Sequence, residues 1–172
     1  QETRQRLDEA RNQAAANERI WRKATAVAAA VAQEELATTL MAIAESCREA
    51  LGADVVTVYS YDSQADRFTH LGQSIDNQRD PFSIRRPDSL PVDSELYDIV
   101  HLKDRPYFRL HDLERPDPSL MSGEFVRSEN IQAAVGLQLR GRGGPLGVMF
   151  VSYRQRHVFE DSELASIQLF AD

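Results

Sequence analysis

Apolar and polar positions alternate most cleanly near the end of the chain. Ile131, Ala133, Val135, Leu137 and Leu139 alternate with Gln132, Ala134, Gly136, Gln138 and Arg140, the period of two that a strand with two unlike faces requires. Gly141 to Pro145 predicts a tight turn, since glycine reaches positive φ without steric cost. Leu146 to Tyr153 predicts a second, almost uniformly apolar strand, with Val148, Met149, Phe150 and Val151 in a row. Such a run belongs in a sheet covered on both sides. A closing helix follows from Phe159-Glu160-Asp161-Ser162-Glu163-Leu164.

Upstream, residues 1 to 33 lack Gly and Pro and are rich in Ala, Glu, Gln and Arg, all strong helix formers. Leu7, Ala14, Trp21 and Ala28 fall seven apart, with Ala10, Asn17, Ala24 and Val31 between them, a heptad seam suited to a parallel two-stranded dimer. From Leu36 the stripe becomes Leu36, Leu40, Ile43, Cys47 and Leu51, a core-facing helix stopped by Gly52. A bend or pause is expected between the two patterns, around Ala32 to Leu36. Ala53 to Asp62 is β-branched and aromatic, hence a strand, and Arg67 to Gln73 is its hairpin partner. Pro81, Pro87 and Pro91 keep Asn77 to Val92 out of a central strand, although Phe82 to Arg85 fits a short edge. Asp93 caps a short helix through His101, Tyr107 to Leu113 is a further strand, and Ser122 to Asn130 is a short helix. The tally is six strands, joined mostly by hairpin-like links. The expected fold class is α+β, a six-stranded antiparallel sheet with helices on both faces, preceded by a long N-terminal helix.

The pattern of strand, G-x-PLGVMFVSYR, F-E-D-S-E-L and closing helix resembles the end of a GAF domain, the small-molecule-sensing module of signalling proteins. The likeness reaches back to about Leu36. It implies two parts: a signalling and dimerisation helix over 1–33 and a GAF domain over 36–172. It also implies that the first and last domain helices lie on one face of the sheet, while middle helices and loops cover the other and enclose a pocket. A regulatory module rather than a catalyst is expected, with an output domain elsewhere in a longer bacterial signal-transduction protein. The start at Gln and the stop inside a helical pattern fit a piece of such a protein.

Composition narrows this further. At 172 residues the chain suits one domain with an appendage. Its net charge of −7 leaves no basic footprint for nucleic acid or an anionic membrane. Residues 1–35 balance their charges, so the acidic excess belongs to the remainder. The single Cys47 excludes an intrachain disulfide and fits a reducing, cytoplasmic location. No run approaches the ~18 apolar residues of a membrane span, so no membrane insertion is expected.

Candidate chemistry is sparse. Cys47 lies mid-helix on an apolar stripe, where a small core residue is expected rather than a nucleophile. His70, His101, His111 and His157 show no metal-ligand spacing. GRGGPLG joins two strands, so it is a hairpin and not a phosphate loop. Cyclic-nucleotide-binding GAF domains carry Asn-Lys after the last strand and Phe-x-x-x-Asp-Glu at the closing helix. Here Tyr153-Arg154 and Phe159-Glu160-Asp161-Ser162-Glu163 stand there, which puts cyclic nucleotides in doubt and suggests an Arg154–Glu163 ion pair instead. The bilin-attaching Cys-His of other relatives has no counterpart in Ser119 to Asn130, and methionine sulfoxide reductase relatives need several cysteines. No cofactor is therefore assigned.

What remains is a pocket. Small and polar positions on a buried face leave room and hydrogen-bonding capacity, and the resemblance directs Thr57, Tyr59, Gln138, Phe150 and Ser152 toward it, with His70, Tyr107 and Phe125 as further ligand-binding candidates. An unidentified small molecule is the expected ligand and a second copy, through the N-terminal helix, the expected partner. The alternative is a purely structural dimerisation module whose core is filled.

Overall fold

The computed structural model describes residues 2–78, 95–103, 107–109 and 124–171; within these the side chains of 2–10, 12–17, 20, 95, 107–109, 124 and 170 are not described. The chain divides into two units, Gln1–Leu36 and Ala37–Asp172. The first is helical and belongs to α1 (Glu2–Leu51). Its described side chains face water: Trp21 is 73% exposed, Val27 and Val31 are exposed, and Arg22 pairs with Glu18 one turn away at 2.5 Å. The bend expected around Ala32 to Leu36 is not present as a break in secondary structure, because α1 is a single helical element through that region.

The second unit holds the sheet. Its described strands are β1 (Val55–Asp62), β2 (Arg67–Ile75), β3 (Tyr107–Arg109), β4 (Ala133–Gly141) and β5 (Gly144–Tyr153). They lie in the order β2-β1-β5-β4-β3, and every neighbouring pair is antiparallel. Six strands were expected; four long strands and the three-residue β3 are found among the described residues. The proposed edge Phe82 to Arg85 lies outside them, as do Asp93 and the end of the Tyr107 to Leu113 strand. The helices are α2 (Glu95–Val100), α3 (Glu124–Ser128) and α4 (Asp161–Ala171).

Helix ends follow from single residues. Gly52 adopts φ +60, and the bonds Gly52 N–H to Glu49 O and Ala53 N–H to Arg48 O close α1 in a Schellman motif. Asn130, at φ 55, does the same for α3, with Asn130 N–H to Arg127 O and Ile131 N–H to Val126 O. Both residue types tolerate the left-handed region.

One face of the sheet carries the main core. Val56 and Val58 of β1, Val135 and Leu137 of β4, and Met149 and Val151 of β5 pack against Leu40, Ala44 and Cys47 of α1 and Leu164 and Ile167 of α4. Ala44, not Ile43, completes the α1 stripe, and Leu36 and Ile43 are exposed. Helix and sheet approach closely: a Cβ built on Gly72 would lie 2.2 Å from the Leu40 carbonyl carbon, so helix backbone rests on strand backbone there. By length and composition alone, Trp21–Leu51 is apolar enough to cross a membrane, although Glu34 and Glu35 interrupt it and it holds no unbroken apolar run of that length. Within that segment, however, Leu40, Ala44 and Cys47 are buried in the protein's own core.

Candidate functional site

The opposite sheet face holds two separate apolar clusters. Tyr59, Phe68 and Val148 meet Leu96, Tyr97, Ile99 and Val100 of α2 at one end. Val55, Ile131 and Ala134 meet the half-buried Ile75, Phe125 and Val126 at the other. Phe150 packs against both clusters and is itself only partly buried. Between the clusters runs one transverse row, Gln73–Thr57–Phe150–Gly136–Phe108, fixed by the strand registers.

Most of the predicted ligand residues share this face. Thr57 is buried and accepts a hydrogen bond from Gln73 Nε2 at 3.2 Å. Tyr59 is buried edge-to-face on Phe68, with centroids 6.0 Å apart. Ser152 is buried one row away, opposite Val55 and Ala134. Gln138 is already engaged: its Nε2 donates to the carbonyls of Val100, Ile99 and Leu102, and its Oε1 accepts from Arg140 Nε. It caps the C-terminal end of α2. Phe125, on α3, belongs to the second cluster.

His70 is a correction. A bulge between Ser60 and Tyr61 sets Ser60 opposite His70 and Tyr61 opposite Phe68. That shift of parity carries Phe68 to the side of Tyr59 and leaves His70 with Ser60 on the other face, where its backbone N–H donates to Ser60 Oγ at 3.0 Å. Tyr107 stands opposite Leu137, whereas Phe108 stands opposite Gly136 and so occupies the transverse row; the side chain of Tyr107 lies outside the described set.

Gln73 is the residue that sequence reasoning missed. Its Oε1 is buried and has no hydrogen-bond partner among the described residues. The alternation Leu71-Gln73-Ile75 on the partner strand of Thr57 was the available signal. The outer edge of β2, with Met41 and Glu45 of α1, also lines a groove of about 420 Å³ reached by Gln73 and Gln78.

Arg154 is a second correction. It does not pair with Glu163. Tyr153 points to the α4 face, so the next residue points away, and Arg154 Nη2 meets Glu129 Oε2 at 2.7 Å. It also donates to the Glu129, Asp76 and Asn77 carbonyls. Glu163 instead accepts from His157 Nε2 at 2.7 Å and from the Tyr153 hydroxyl at 3.3 Å. His157 stacks on Tyr153 at 3.9 Å, and burial foremost pushes the Tyr153 phenol far above its ordinary range.

Nucleophilic chemistry finds little support. Cys47 is fully buried, and burial pushes its thiol up to about 11, away from the thiolate that reactive cysteines need. No group of three His, Cys, Asp or Glu side chains among the described residues is placed to hold a metal ion.

Residues 35–172 match the family model of the GAF domain. No curated protein matches the chain. Among solved structures, the blue-light absorbing form of the Thermosynechococcus elongatus PixJ GAF domain is similar with a TM-score of 0.57 at 12% identity, covering 80% of this chain and 81% of that one. A domain assigned to a two-component sensor histidine kinase of Sinorhizobium meliloti gives 0.53 at 18%, covering 76% and 81%. Residues 122 to 287 of a methyl-accepting chemotaxis protein give 0.55 at 21%, covering 77% and 82%. At these identities the likeness establishes the fold.

Proposed function

This chain belongs to the GAF domain family, and from that membership we propose that it is a non-catalytic sensory domain that binds a small molecule within a larger signalling protein. The fold neighbours come from sensor and chemotaxis proteins, which supports a sensory role. The observation that carries ligand binding is the transverse row. There the row runs between two clusters, Phe150 offers a partly open ring, and the buried Gln73 carbonyl has no donor among the described residues. Buried polar atoms in folded proteins are nearly always paired, so a ligand N–H or O–H reaching Gln73 and Thr57 would complete the row. The same reading makes residues 1–33 a dimeric helix that relays occupancy, its exposed Trp21 and Val31 covered by a second copy.

A second reading has its own support. A Cβ on Gly136 would come within 2.8 Å of both Ile99 and Phe150, and Gln138 is satisfied by α2 carbonyls. A filled core that only dimerises accounts for both facts.

Native mass spectrometry of the protein purified from its source separates the two. Added mass, with a rise in melting temperature that Phe150→Trp abolishes, is the expected result. Bare protein that no metabolite extract stabilises would favour the filled core. Sedimentation with and without residues 1–33 tests the helix, since monomers in both cases would remove the dimer.

A further inference from the structure

One polar cluster borders the apolar cluster at α2 and lies outside the transverse row. Tyr61 near the end of β1, Asp66 in the β1–β2 turn and His101 just beyond α2 come from three separate segments and converge their polar atoms. His101 Nε2 stands 3.3 Å from Asp66 Oδ1 and 3.2 Å from Tyr61 Oη, and Tyr61 Oη stands 2.5 Å from Asp66 Oδ1. The ring of His101 is held edge-on by Tyr61, at 6.1 Å, and flanked by Tyr97 of α2, at 6.4 Å. The positions of all three groups are set by backbone. Asp66 sits at φ 47, and the turn is closed by Asp62 Oδ1, which accepts from Gln64 and Ala65 N–H. The carboxylate and imidazole remain open to water, with side chains 60% and 55% exposed.

We propose that Tyr61, Asp66 and His101 form a binding site for a divalent first-row transition ion, with Cu²⁺ the tightest binder and Zn²⁺ the next. Two ligands each ~2.1 Å from a tetrahedral ion stand ~3.4 Å apart, close to the spacing already present between His101 and both oxygens. Only the Tyr61–Asp66 contact must open, by less than ~1 Å. An imidazole nitrogen with two oxygens selects against Mg²⁺ and Ca²⁺, which take oxygen alone. The entering ion takes the place of the phenolic proton, which leaves to solvent; the phenol holds it firmly, its pKa raised to about 12 by burial and by Asp66. That cost favours Cu²⁺, the strongest Lewis acid of the series. The fourth position faces water. Because the donors join the β1–β2 turn to the end of α2, a bound ion fastens that helix over the sheet.

The test is titration of the chelator-treated full chain with CuCl₂ and with ZnCl₂, followed by calorimetry and visible absorption. One site per chain is expected, with a copper–phenolate charge-transfer band that Tyr61→Phe removes. His101→Asn and Asp66→Asn, the latter tolerant of the turn's positive φ, should each weaken it by about tenfold or more, with far-UV circular dichroism unchanged. His157→Gln should leave it intact. Absence of the band in the wild type, or equal affinity in His101→Asn, overturns the proposal.

Discussion

Arg154 and Glu129 form an ion pair closed off from solvent: Nη2 and Oε2 are 2.7 Å apart, and the two side chains are 9% and 0% exposed. The same guanidinium reaches the Asp76 and Asn77 carbonyls, and the Arg154 N–H donates to Asp54 Oδ2 at 2.8 Å. Through its side chain and its main-chain N–H, this one residue joins the ends of β1, β2, α3 and β5. Removing one partner of a buried pair takes away the compensation that offsets the other's desolvation. Arg154→Met should therefore cost about 3–5 kcal/mol, read from the urea midpoint. Adding Glu129→Leu to Arg154→Met should recover a large part of it. A single variant as stable as wild type would show that the pair is not closed in solution.

Gly72 admits no side chain, since an added Cβ meets the main chain of Leu40 at 2.2 Å. Backbone cannot turn aside as a side chain can. Gly72→Ala should destabilise by about 2–3 kcal/mol. Gly143→Ala, where nothing lies within 4 Å and φ is not positive, should change stability by less than ~1 kcal/mol. Thermal melts of the two variants make the comparison.

Cys47 should resist alkylation until the protein unfolds. Its pKa rises from 9.0 to about 11 through burial, so the folded state holds the thiol proton more tightly than the unfolded chain does. The stability from this group is complete below pH 9 and is lost as pH climbs from there through about 11. Relative to Cys47→Ala, the wild type should lose stability across that interval in denaturant titrations. Parallel curves for the two proteins would contradict the assignment.

Gln138 secures α2 rather than awaiting a ligand. Its amide donates to three carbonyls at the helix end. Gln138→Met would remove the side-chain donor of the Val100 carbonyl and leave Ile99 and Leu102 only their bonds to Leu102 N–H and Arg140, at a cost of about 1–3 kcal/mol. Hydrogen exchange should quicken in α2 more than in β4. Uniform exchange across both elements would indicate a different anchor.

The alternation in β4 and β5 was enough to sort their side chains between the two faces, and the registers set Thr57 and Tyr59, which the resemblance had directed there, on the same face as Phe150 and Ser152. Residue-by-residue parity failed where the chain departs from regular geometry. The bulge at Ser60/Tyr61 sends Phe68 and His70 to opposite sides, and no local pattern in Arg67 to Gln73 announces it. The Arg154 partner was misread because Glu163 is near in sequence but on the wrong side of β5, while Glu129 is distant in sequence and buried beside it. Ala44 rather than Ile43 joins Leu40 and Cys47 in the core, a choice of helix phase that the stripe of large apolar residues left open.

Where Leu40 rests on Gly72, nothing compressible lies between helix and strand. A movement of β2 by a few tenths of an ångström has no rotamer to absorb it and passes straight into the peptide units of α1. Those units are hydrogen-bonded in series along a 50-residue element. A residue with no side chain is therefore where the helix would feel the strand directly.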